Sequence, residues 1–139
     1  MPLVALLLSL LLVTGCAVHP PPNAEVGPLL PSLQVTEVGD SVHFVFQVTN
    51  TSTEPVELHF RTGQSFDFLA MDGGREVWRW SADRMFTQAL RQERLDGGAT
   101  LRFEASWLPP ADLRGDLLAI ARLTAWNVPV EQQANIRLQ

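Results

Sequence analysis

Apolar and polar residues alternate along most of the chain after residue 31. Valine or phenylalanine occupies every second position of residues 42–48 (VHFVFQV), and residues 56–60 (VELHF) have the same period of two. This period is typical of a β-strand with one buried face. The turn-forming sequence 50–55 (NTSTEP) separates the two runs, so they are predicted to pair directly as an antiparallel hairpin.

The later segments continue this arrangement of short strands and glycine turns. The sequences 72–74 (DGG) and 95–98 (LDGG) predict tight turns, because glycine adopts positive φ without steric cost. Residues 117–125 fit either a helix or a strand, and the alternation that follows them favours a strand. Only residues 81–90 have helix-like character, which predicts one short helical segment near residues 82–90. Short strands with regular turns predict an all-β antiparallel sandwich.

Composition is that of a single globular domain. The chain has 139 residues, and 46% of them are hydrophobic, which is enough for a core. Its net charge is −5, and its basic residues are not clustered. Nucleic-acid binding requires a basic patch, and electrostatic binding to anionic lipid requires a polybasic stretch. We therefore expect no nucleic-acid partner.

The first 31 residues differ from the rest of the chain. Residues 1–13 form an apolar run of the length of a signal-peptide core, too short to cross about 30 Å of hydrocarbon. The sequence 13–16 (VTGC) resembles the bacterial lipobox, which implies cleavage before Cys16 and attachment of a lipid to it. We therefore expect a lipoprotein signal peptide at residues 1–15, a proline-rich tether at 16–31 and the folded domain at 32–139.

This organisation predicts an exported protein that the lipid on Cys16 anchors to the bacterial cell membrane. The residue after the cysteine is Ala17, not the aspartate associated with retention in an inner membrane. In a cell with two membranes, the outer membrane is therefore favoured.

Residues with catalytic or metal-binding chemistry are few. The chain has no Gly-x-Ser-x-Gly motif, and its glycine pairs lie in predicted hairpin turns rather than in a phosphate-binding loop. Cys16 is the only cysteine, and lipidation would remove its thiol. In the predicted hairpin His43 and His59 are diagonal neighbours, but a metal site needs further ligands. We therefore expect no enzyme, no cofactor and no metal site.

Three stretches carry a family resemblance. Residues 60–68 (FRTGQSFDF), residues 74–81 (GREVWRWS) and the pair Met85 and Phe86 are similar to the BsuPI-type intracellular proteinase inhibitors. The resemblance covers about residues 33–129. It implies an immunoglobulin-like β-sandwich and a serine protease as partner.

The resemblance and the predicted export signal lead to two hypotheses about function. One is a lipid-anchored binding module of the cell envelope that inhibits a serine protease non-covalently, by a loop or a strand edge. Because the chain is predicted to be exported, its protease would lie outside the cytoplasm. The alternative is an envelope interaction or scaffold domain that does not inhibit a protease.

Two tryptophans mark the candidate site. Trp78 and Trp80 are two residues apart, so on a regular strand they share one face. That face either belongs to the core or forms an aromatic patch, and burial is the usual role of large aromatic side chains. Tryptophan and arginine are also enriched at binding hot spots. The candidate partner-binding residues are Arg79, Trp80, Arg84, Met85 and Phe86.

Overall fold

Nine strands and one 3-10 turn make up the regular structure of residues 27–139, which are the residues described by the computed structural model. The strands are β1 (Leu29–Val38), β2 (Ser41–Asn50), β3 (Val56–Phe60), β4 (Phe66–Asp72), β5 (Arg75–Arg79), β6 (Arg91–Leu95), β7 (Thr100–Trp107), β8 (Gly115–Leu123) and β9 (Val130–Leu138). The 3-10 turn, Trp80–Asp83, follows β5 directly. Every strand that the alternation predicted is present, including β8, for which a helix was the other option.

The strands form two facing sheets and a short ribbon. One sheet has the order β1-β2-β7, the other has the order β5-β4-β8-β9, and β3 pairs with β6 in the ribbon. All of these pairs are antiparallel. The pairs β2–β7 and β4–β8 join strands that are distant in sequence, as in immunoglobulin-like sandwiches. The structure therefore confirms the all-β, immunoglobulin-like antiparallel sandwich.

Aromatic side chains fill the space between the two sheets. Phe44 and Phe46 of β2 are completely buried, as is Phe68 of β4 in the facing sheet. The ring of Phe68 lies 5.3 Å from that of Phe44 and 6.4 Å from that of Phe46, between centroids. Among the described residues, those of the hydrophobic core lie between Leu29 and Leu138.

The predicted hairpin between residues 42–48 and 56–60 is wrong. β2 pairs with β1 and β7, whereas β3 pairs with β6. The buried side chain of Asn50 explains the change of partner, because it donates hydrogen bonds to the carbonyls of Glu54 and Leu95 and accepts two from Ser52. These bonds fix residues 51–55 as a connection out of the sheet and toward the ribbon.

The helical segment lies earlier and is shorter than predicted. It is the single turn Trp80–Asp83, and residues 84–90 have no regular structure. The hydroxyl of Ser81 donates a hydrogen bond to Asp67. Arg84 already has extended backbone angles, φ −117° and ψ 150°, so the helix cannot continue.

The first strand begins inside the range predicted as tether. β1 starts at Leu29, which is buried, and it includes Pro31. A proline is compatible with this position because β1 is the outer strand of its sheet. Residues 1–26, which hold the predicted signal peptide, Cys16 and most of the tether, lie outside the described residues.

The chain enters the sandwich at one of its two ends. The carbonyl of Pro28 accepts hydrogen bonds of 2.8 Å from the backbone and the hydroxyl of Thr51, at the point where β2 ends. We call this the entry end. Its connections are residues 51–55, 61–65, 84–90 and 124–129, whereas the turn between β1 and β2 and residues 108–114 lie at the far end.

Gly97, in the turn between β6 and β7, supplies a stability test. A Cβ atom there would lie 2.6 Å from the carbonyl oxygen of Thr53 and 2.8 Å from that of Ser52, both backbone atoms. We expect Gly97→Ala to lower the free energy of unfolding by about 2 kcal/mol, because the 51–55 connection must move. Urea denaturation measures the loss. Gly74→Ala is the control, since no atom lies within 4 Å of its Cβ position; equal losses in both variants would contradict the argument.

Candidate partner-binding site

Residues 84–90, the exposed segment, connect the 3-10 turn to β6 at the entry end. The Met85 side chain is 99% exposed and Leu90 is 84% exposed. Between them, the Thr87 carbonyl accepts a 2.9 Å hydrogen bond from the Gly63 amide. A Cβ atom on Gly63 would lie 2.6 Å from the Thr87 hydroxyl, so glycine allows this close approach. The segment therefore projects apolar side chains while its middle is fixed to the domain.

An aromatic stack supports the start of this segment. The Trp80 ring stacks on Phe66 with 4.3 Å between centroids, and Phe66 stacks on Phe103 at 4.5 Å. The Phe86 ring packs at a tilt against the Trp80 ring, with 5.9 Å between centroids. The Arg84 guanidinium lies 4.3 Å from the centre of the same ring, within cation–π distance. Trp80 is thus half-buried, and Arg84 and Phe86 of the exposed segment pack against its ring.

The carboxylate of Asp67, on β4, holds the 3-10 turn that carries Trp80. It is buried, and it accepts hydrogen bonds from the backbone and the hydroxyl of Ser81 and from the amide of Phe68. The Arg79 guanidinium lies 3.4 Å from its second oxygen. Because Ser81 belongs to the 3-10 turn, these bonds determine where the exposed segment begins.

Arg79 pairs with the carboxylate that holds the 3-10 turn, so it contributes little to the outer surface. It forms ion pairs with Asp67 and Glu76, and its side chain is 35% exposed. The hydrogen bond that it donates to Glu76, the largest influence, raises the pKa of Arg79 above its ordinary value. The guanidinium is therefore charged throughout the physiological range and already has two acidic partners.

The tryptophan of β5 is half-buried and packs against the core. Trp78 stacks on Phe44 with 5.1 Å between centroids and on Trp107 with 5.3 Å. The pairing of β4 with β5 shifts between Ala70 and Met71, which leaves Val77 as an extra residue. This β-bulge breaks the strict alternation that the sequence suggested for β5.

The structure brings together four of the five candidate residues. Arg84 and Phe86 both contact Trp80, Met85 lies between them in sequence, and Arg79 pairs with the buried Asp67. Sequence analysis missed Leu90 and Trp126, which is 53% exposed. Trp126 packs edge-on against His59 and forms with Leu90 and Gln92 part of a groove of about 270 Å³.

The two histidines do not approach each other. His43 lies beside Ser106 of β7 at 3.1 Å, whereas His59 packs on Trp126. Within residues 27–139 no group of three or more His, Cys, Asp or Glu side chains is arranged to hold a metal ion. The same part of the chain contains no helix long and apolar enough to cross a membrane.

Comparison with solved structures gives weak matches to parts of larger enzymes. A β-glucosidase from Listeria innocua in complex with isofagomine is 11% identical, with a TM-score of 0.40, over 78% of this chain and 16% of that chain. The same enzyme in complex with glucose is 10% identical, with a TM-score of 0.37, over the same shares. This chain therefore spans only a small part of their length. No curated protein matches the chain.

Comparison with family models is decisive. Residues 29–121, which include strands β1 to β7 and most of β8, match the model described as "BsuPI: Intracellular proteinase inhibitor". The matched span contains the Asp67 carboxylate, the aromatic stack and the whole exposed segment. It also confirms the resemblance carried by residues 60–68 and 74–81. The chain belongs to the BsuPI family of intracellular proteinase inhibitors.

Proposed function

We propose that this protein is a lipid-anchored module of the cell envelope that inhibits a serine protease non-covalently through the exposed segment. The observation that carries the proposal is the exposed segment itself: residues 84–90 project an apolar side chain from a supported, non-helical backbone in a member of a proteinase inhibitor family. No catalytic activity of its own is proposed.

The physical basis for inhibition is the fixed backbone of the segment. Binding a flexible peptide requires its backbone and side chains to be ordered, which lowers affinity, and a segment already held in place avoids much of that loss. The Thr87–Gly63 hydrogen bond and the packing of Arg84 and Phe86 on Trp80 hold this segment from two sides. Such a segment can occupy a protease cleft as an extended chain does, without forming a covalent bond.

Inhibition is tested with the chain from residue 17 to 139, which lacks Cys16 and contains every core residue that the structure describes. It is titrated into subtilisin-like, chymotrypsin-like and trypsin-like serine proteases, and the hydrolysis of small chromogenic substrates is followed. We expect reversible inhibition of at least one enzyme at micromolar or lower concentration. No inhibition across the panel at micromolar concentration would reject the proposal.

The anchor is proposed from the lipobox-like sequence and the tether. Radiolabelled fatty acid should be incorporated into the full-length protein in its bacterial host, and Cys16→Ser should abolish the incorporation. Fractionation of the envelope then distinguishes the outer membrane, which Ala17 favours, from the inner one. Label that persists in Cys16→Ser would remove Cys16 as the attachment site.

A scaffold function without inhibition is the second candidate, and Trp126 favours it. This exposed ring lies 5.6 Å from the guanidinium of Arg61 and borders the groove with Leu90 and Gln92. Tryptophan beside arginine is a common composition at protein-binding surfaces. If Trp126→Ala weakens capture of an envelope protein that has no protease activity, and the protease panel gives no inhibition, the scaffold function is supported.

A further inference from the structure

We infer that Met85 is the side chain that enters the specificity pocket of the target, and that the target is a serine protease whose pocket is apolar. This inference rests on the proposed function and specifies the class of its target. It follows from a comparison of the neighbouring side chains that the segment offers.

Three adjacent residues of the segment would suit two different kinds of specificity pocket. Arg84 would suit a pocket with an acidic base, as in trypsin, whereas Met85 and Phe86 would suit an apolar one, as in chymotrypsin. A side chain can fill such a pocket only if it projects from the domain and gives up few contacts within its own chain. The three residues differ sharply in this respect.

Arg84 and Phe86 are held by the domain. The Arg84 guanidinium lies over the Trp80 ring at 4.3 Å, and its Nε donates a 3.2 Å hydrogen bond to the Trp80 carbonyl. Phe86 is half-buried against the same ring. Withdrawing either side chain would break these contacts, and withdrawing Phe86 would also expose its apolar surface to water. Met85, which is 99% exposed, has almost no contact to lose.

The backbone around Met85 favours presentation of this residue. Arg84, immediately before it, is extended, and Thr87, two residues after it, is hydrogen-bonded to Gly63. Met85 therefore lies between two fixed positions, with its side chain almost fully exposed. Burying a methionine side chain is worth about 1.5–3 kcal/mol, and its unbranched thioether adapts to narrow apolar cavities. A trypsin-like pocket would instead leave its buried carboxylate without a partner.

Substitution of Met85 gives a direct test with the chain 17–139. We expect Met85→Arg to weaken inhibition of a chymotrypsin- or subtilisin-like protease about 100-fold. The same variant should gain inhibition of trypsin, because the new guanidinium can pair with the pocket carboxylate. Leu108→Arg is the matched control: it places the same charge on a strongly exposed apolar residue at the far end of the sandwich, and inhibition should be unchanged.

Oxidation of the Met85 sulfur provides a second test. Hydrogen peroxide transfers one oxygen to the Met85 sulfur and leaves water, which makes the side chain polar. Inhibition by the wild-type chain should then fall about tenfold. Met85→Leu should inhibit as well as the wild type and should be insensitive to peroxide, although the half-buried Met71 is still present.

The outcomes separate the inference from the proposed function. If the wild type inhibits a protease but Met85→Arg and peroxide change nothing, the inference is wrong and the proposed function stands. Loss of inhibition in Arg84→Ala with preferential inhibition of trypsin by the wild type would assign the pocket to Arg84 instead. If the wild type inhibits no protease, the proposed function fails and the inference fails with it.

Discussion

Replacement of Phe44 by alanine is expected to lower the free energy of unfolding by about 4 kcal/mol. The ring is completely buried and lies 5.3 Å from Phe68 in the facing sheet and 5.1 Å from Trp78 of β5. Truncation removes its apolar contacts from the centre of the sandwich. The surrounding rings belong to different strands and cannot all move inward, so a cavity is left behind.

The measurement is urea denaturation of the chain 17–139, followed by far-ultraviolet circular dichroism. Val45→Ala is the control, because Val45 is the next residue of β2 and faces the other side of the sheet, where it is only half-buried. Its expected loss is below about 1 kcal/mol. If Phe44→Ala lowered the free energy of unfolding no more than Val45→Ala does, the two sheets would have closed around the smaller side chain.

Replacement of Asp67 by alanine is expected to lower the free energy of unfolding by about 3 kcal/mol. The variant leaves the backbone amide of Ser81 without its acceptor and removes the inner ion-pair partner of Arg79. Because Arg79 is partly exposed and keeps Glu76, the ion pair contributes less than the hydrogen bonds that Ser81 donates. The same change frees the 3-10 turn, so the affinity for a protease should also fall.

Two variants make the Asp67 result specific. Asp67→Asn retains one carbonyl oxygen for the Ser81 amide and should lose about half as much stability. Asp72→Ala removes a more exposed carboxylate, paired with Arg75 at 3.6 Å, and should change stability by less than about 0.5 kcal/mol. Equal losses for Asp67→Ala and Asp72→Ala would mean that burial of the Asp67 carboxylate has no effect on stability.

The sequence predicted which side chains face the core but not which strands are neighbours. The four alternating residues of β2, Val42, Phe44, Phe46 and Val48, are all buried as expected. Alternation depends only on the pleat of a single strand, so it is visible in one short segment. The partner of a strand depends on the connections that follow it, and here Asn50 directs the chain away from the hairpin through bonds to Glu54 and Leu95.

The sequence indicated where the candidate residues are, but not how their side chains are arranged relative to one another. The sequence indicated residues 79–86 because aromatic, apolar and basic side chains are concentrated there. The ion pair of Arg79 involves Asp67, which is twelve positions away, and the bulge at Val77 shifts the pairing of β5. Both are tertiary effects, so the sequence could not show that Arg79 turns inward, nor that Met85 is the most exposed of the candidate residues.

Because the chain enters the sandwich beside Thr51, the entry point and the exposed segment are at the same end of the molecule. If the proposed lipid anchor and a protease held at residues 84–90 were pulled apart, the mechanical load would pass from Pro28 across this one end. It does not run along the length of the paired strands. The first bonds to carry it are the two that Pro28 accepts from Thr51, together with the pair Leu29↔Asn50. Under force, β1 would therefore separate from β2 progressively from this end, one pair after another.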